Sequence, residues 1–153
     1  NPDDTVTRRF LAQHFQLRSD HSRAASEYNR ILQIEPDNAA VLNNLAWLHQ
    51  QGGNLGLARD LAERAYSIDS QSGSIVDTLA WIYRDLGELE KSLNLLSEAS
   101  RLSPSNREIQ FHFATVLSES GNVSQAKPLL QNLVDGNEQF PSRRQAEELL
   151  RQL

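Results

Sequence analysis

The chain contains no cysteine and no methionine in its 153 residues. Without cysteine there is no disulfide framework and no thiolate to act as nucleophile or metal ligand. No apolar run approaches the roughly 18 residues that a membrane-spanning helix needs, so no segment here is expected to cross a bilayer. Cationic charge is also scarce: 15 Lys and Arg stand against 20 Asp and Glu, a net charge of -5. That balance argues against nucleic-acid binding, which wants a basic face. The four histidines, His14, His21, His49 and His112, are scattered. They form no HExxH pair and have no cysteine to share a metal with, so neither a metal nor a cofactor is expected. Ser, His and Asp are all present, but no nucleophile elbow or phosphate-binding glycine loop frames them, and the chain is not expected to be an enzyme. The missing initiator methionine, with Asn-Pro-Asp-Asp at the start, is what a processed or excised piece would show.

What the chain does have is a period. Ala12, Ala46, Ala80 and Ala114 recur at one constant interval, each preceded by a large apolar residue: Leu11, Leu45, Leu79 and Phe113. A second small slot runs Ala24, Ala58, Ser92, Ala126, and a turn slot runs Ser19, Gly53, Gly87, Gly121. Pro2, Pro36, Ser70, Pro104 and Glu138 occupy a closing slot. Where Ser70 replaces the closing proline, Gly73 is expected to help the chain turn. Between these marks lie paired amphipathic patterns, each too short to be a stable helix alone in water. Paired, they make helical hairpins whose remaining apolar face needs a neighbour, which the next copy supplies. Asp20, Asp37 or Asn38, and Asn122 or Ser124 are placed to cap helices, and Ser142 with Gln145 fits a capping box. If the helix after the fourth turn starts near Asn122, Pro128 falls inside it and a small kink is expected.

Several slots recur in phase, at the helix-turn-helix period of about 34 residues that marks the tetratricopeptide repeat. The chain therefore resembles the tetratricopeptide repeat family over nearly its whole length. The resemblance implies an all-α fold, a right-handed α-solenoid of four hairpins over residues 5–38, 39–72, 73–106 and 107–140. Residues 1–4 would be the tail of a preceding repeat, which Pro2 in the closing slot also suggests. Residues 141–153 would form a terminal capping helix with Ala146, Leu149, Leu150 and Leu153 inward.

In this family the first helices line a concave groove that docks a peptide or a partner protein. The slots facing it hold Arg9, Gln13 and Gln16; then Asn43, Asn44, Trp47 and Gln50; then Asp77, Trp81 and Arg84; then Phe111, His112 and Thr115. Trp47 and Trp81 stand in equivalent places, each directly after its repeat's Ala46 or Ala80. They read either as an aromatic platform for a peptide or sugar ring or as rings packed between neighbouring first helices. Asn44, Arg9 and Gln13 are similar to part of the family's dicarboxylate clamp, but Ser74 and Thr78 replace its basic residues. His49 shares a packing slot with Tyr83. The stretches 42–48, 77–81 and 140–153 resemble bacterial envelope proteins of this family linked to exopolysaccharide export and PEP-CTERM sorting. That likeness implies a periplasmic assembly factor with polysaccharide as a possible ligand. Finally, Phe10 and Leu11 lack a preceding repeat to cover them, and this uncapped edge predicts weak self-association.

Overall fold

The turn slot is where sequence dictates backbone most directly. In the computed structural model, which describes residues 4–136 and 138–153, Ser19, Gly53, Gly87 and Gly121 all have positive φ, at 57°, 76°, 79° and 81°. A left-handed residue after a helix lets the chain fold back onto the last open carbonyls. It does so identically four times. The amides of Asp20, Asn54, Glu88 and Asn122 donate to the carbonyls of Phe15, His49, Tyr83 and Leu117 at 2.8–2.9 Å. Three of the four sites use glycine, which carries no Cβ penalty there; Ser19 accepts it.

The chain divides into two compact units, residues 1–70 and 71–153. The first holds α1 (Thr5–Leu17), α2 (His21–Ile34), α3 (Ala39–Gln51) and α4 (Leu55–Ile68). Each helix packs on the next along the chain. The second holds α5 (Gly73–Asp85), α6 (Leu89–Leu102), α7 (Arg107–Glu119), α8 (Val123–Asp135) and α9 (Arg143–Gln152). There too successive helices pack, and α5 also touches α7, the next first helix of a hairpin. Among the described residues the structure is helices and connections only, an all-α helical repeat fold. Pro2, with residues 1–3, lies outside the described residues, as does Asn137.

Four helix starts carry side-chain caps. Asp4 accepts from the amides of Val6 and Thr7, Asp20 from Arg23, Asn38 from Val41, and Asn106 from Glu108 and Ile109. Ala12, Ala46, Ala80 and Ala114 are fully buried, as are Ala24, Ala58, Ser92 and Ala126. Small side chains at these places let helix axes approach, and the bulkier neighbours fill the grooves. In the second unit Leu96 and Val116 close over Ala80, with Trp81, Leu89, Leu93 and Phe113 at the margin. A second cluster joins Phe111, Ala114, Leu130, Leu133 and Ala146, flanked by Leu149, Leu150 and Leu153.

Two local expectations change, and one left open is decided. Ser142 precedes α9 but makes no capping bond; its hydroxyl and amide instead go to the Glu108 carboxylate on α7. Gly73 is not a turn residue. It is buried at the first position of α5, where an added methyl would collide with the Ser103 side chain. Pro128 lies within α8, beyond its first turn, because the helix begins directly after Asn122, whose side chain makes no capping bond.

Candidate docking faces

The second unit brings four of the predicted residues into one constellation and ties them to each other or to neighbouring carboxylates. His112 of α7 lies flat on Trp81 of α5, ring centroids 3.9 Å apart and 20° between planes. The Nδ1–H of His112 donates to the Asp77 carboxylate, 2.9 Å from both oxygens. Its Nε2 faces Glu108 at 3.7 Å. The Arg84 guanidinium stands 4.5 Å from the centre of the Trp81 ring. It donates to both oxygens of Glu119 and also reaches Asp85. The Glu119 carboxylate, through these bonds, holds the Arg84 guanidinium above its ordinary range. Trp81 is thus a packed ring with a cation against it, not an open platform.

Two more of the predicted contacts in this unit are engaged within it. Phe111 is corrected: it is 8% exposed and sits in the core with Leu130, Leu133 and Ala146. Leu130 and Leu133 of α8 and Ala146 of α9 cover it. Thr115 is half-buried and donates its hydroxyl back to the Phe111 carbonyl.

The first unit is different in kind. Trp47 is 37% exposed and meets the edge of the His21 ring, at 5.9 Å and 62°. Gln13 and Arg9 are exposed on α1, and Asn43 and Asn44 are half-buried on α3. The Asn43 side-chain oxygen is buried without a partner among the described residues. Gln50 is buried. Gln16 accepts from the Tyr28 hydroxyl at 2.5 Å. Burial pushes the Tyr28 phenol up, with a bond to Asn44 and the Arg9 charge opposing. Val6, which the sequence reading did not single out, and Phe10, which it placed on the uncapped edge, line a hollow of about 190 Å³ together with Arg9 and Gln13. The residues that tie down the second unit, Glu108 and Glu119, were also missed. Their signal was there: Asp77–His112 and Arg84–Glu119 are both 35 residues apart, one repeat plus one residue. Among the described residues no group of three or more metal-ligating side chains is brought together.

Models of the tetratricopeptide repeat match residues 11–73 and 76–106. No curated protein matches the chain. Solved structures similar to it include MamA, 16% identical, covering 83% of this chain and 69% of MamA at a TM-score of 0.70. YrrB, titled a TPR protein with an unusual peptide-binding site, is 19% identical over 86% of this chain and 68% of its own, with a TM-score of 0.71. The Thermobaculum terrenum O-GlcNAc transferase is 26% identical over 84% of this chain at a TM-score of 0.80, and the chain spans only 25% of that enzyme.

Proposed function

The chain belongs to the tetratricopeptide repeat family, and from that premise we propose that it is a non-catalytic scaffold that docks a peptide or partner protein on the first helices of its first unit. One contrast carries this reading. Trp47 and Trp81 occupy the same slot, yet Trp81 is stacked on His112 whereas Trp47 keeps more than a third of its surface open. Exposed Trp among amide side chains is the composition of an interface hot spot: a large rigid ring with polar groups around it to satisfy a peptide backbone. Gln13, Asn43 and Asn44 supply those groups. The peptide-binding site named for YrrB supports the same use of the fold. The second reading, an envelope factor contacting polysaccharide, draws on the same open indole, since a sugar ring also stacks on a flat aromatic face.

Tryptophan fluorescence separates the rings. Wild type, Trp47→Ala and Trp81→Ala are titrated with a pooled random heptapeptide library and, in a parallel arm, with polysaccharide fragments. The expected outcome is a peptide-dependent change that survives Trp81→Ala and disappears in Trp47→Ala. A change that follows Trp81 instead would overturn the assignment, and a response to sugar alone would favour the second reading.

A further inference from the structure

A second hollow of the first unit opens between the first half of α2 and the last turn of α3, with a volume of about 430 Å³. It marks a departure from the repeat. The slot of His21 holds Leu55, Leu89 and Val123 in the later repeats, and the slot of Ala25 holds Arg59, Leu93 and Lys127. In the second unit Leu89 and Leu93 pack against the cluster of Ala80, Leu96 and Val116. Val116 stands in the slot of Leu48. Where those two leucines would stand, His21 and Ala25 leave the space beside Leu48 open.

The lining selects a ligand by its chemistry. Ala25 and the buried Leu48 give an apolar floor. His21, Ser22, Ser26, Asn29 and His49 give hydrogen-bonding groups, and among the described residues no Asp, Glu, Lys or Arg lines the hollow. Burial holds the His49 imidazole below its ordinary value. At neutral pH that ring is therefore uncharged and presents one donor and one acceptor. A charged ligand would lose hydration here without meeting an opposite charge, whereas a neutral one buries an apolar body and satisfies the rim with a polar tip. The volume is in the range of small-molecule pockets, roughly 300–1,000 Å³, and exceeds the roughly 150 Å³ that a benzene-sized group needs.

We propose that this hollow is a small-molecule site for an uncharged bicyclic aromatic carrying a hydroxyl group. The ring system rests on Ala25 and Leu48, and the hydroxyl exchanges hydrogen bonds with the rim. The site is independent of the docking reading above. Its wall still reaches Trp47, because His21 meets the edge of that indole, so occupancy can be read there.

The probe is 2-naphthol, with 2-naphthoate as the charged counterpart. Binding is followed by amide and indole chemical shifts in NMR of wild type, Ala25→Leu and His49→Phe at neutral pH, with folding checked by circular dichroism. Wild type should bind 2-naphthol with a dissociation constant of about 1 mM or tighter, the scale for so small a ligand. The largest shifts should fall on residues 21–29 and 47–49, the Trp47 indole N–H included. Ala25→Leu installs the residue that the third repeat carries, so it should fold, fill the hollow and weaken binding at least roughly tenfold. His49→Phe keeps a ring but removes its polar atoms, and should weaken binding roughly fivefold, the scale of one hydrogen bond. The charged 2-naphthoate should bind wild type at least roughly tenfold more weakly than 2-naphthol. No shifts around the hollow, binding unchanged in Ala25→Leu, or equal binding of 2-naphthoate would each overturn the proposal. Were Ala25→Leu not to fold, an unchanged affinity in His49→Phe would overturn it in the same way.

Discussion

Ser19 and Ser92 are two residues whose environments do not suit them. At Ser19 a side chain is held in a left-handed backbone conformation, φ 57°, that its three equivalents enter as glycine. The penalty for a Cβ there is about 1–2 kcal/mol, partly offset by the extra freedom glycine has when unfolded. Ser19→Gly should therefore raise stability by about 0.5–1 kcal/mol, measured as a higher urea midpoint at unchanged slope. Ser92 is fully buried where the other repeats have alanine, and its hydroxyl has no partner among the described residues. Ser92→Ala should stabilise by about 1–2 kcal/mol, the cost of an unsatisfied buried hydroxyl; a loss of stability in the same denaturation experiment would mean the hydroxyl is bonded. Both positions stand out in the sequence as departures from a slot. The different fates of Trp47 and Trp81 were not visible there. Their slots are the same, and what separates them is His112, which depends on a neighbour one repeat away.

At the scale of the helix, the connections of the first unit depend on carboxylates. Bonds from Thr7, chiefly its side chain, hold the Asp4 carboxyl below its ordinary range. The Arg23 amide and side chain do the same for Asp20, and Thr5 and Asn38 for Glu35. Each binds its proton less readily folded than unfolded. The stabilisation is thus complete above the unfolded values, 3.8 for Asp and 4.5 for Glu, and is lost as pH falls through the lower folded values. Stability should hold steady between about pH 5 and 6 as far as these groups are concerned and decline below about pH 4.5. The decline should be smaller in Glu35→Gln, followed by thermal melts across that range.

Helix starts, turns and small slots were legible from local chemistry alone, because each depends on residues within one turn. The role of Ser142 was not, because Glu108 on another helix takes the hydroxyl that a capping box would use. The inward side of α9 was legible: Ala146, Leu149, Leu150 and Leu153, read as its apolar side, join the Phe111 cluster. Continuing the alanine slot past Ala114 by one repeat lands on Glu148, yet the buried alanine of α9 is Ala146. This helix therefore packs out of phase with the repeats before it.

For the molecule as a whole, the period made the fold class readable, since a slot repeated four times constrains more than any single motif. The distribution of function over the repeats was less readable, because identical scaffolding carries unlike faces. Charge separates the units: α5 and α7 carry Asp77, Asp85, Glu108 and Glu119, whereas α1 and α3 carry no Asp or Glu.

The fourfold repetition of one turn bond leaves an internal ruler. The amides of Asp20, Asn54, Glu88 and Asn122 sit in matching geometry, so differences in their deuterium uptake would report how often each loop opens rather than how each is built. Ranked against one another, these four protons would show which hairpin frays first and which holds longest.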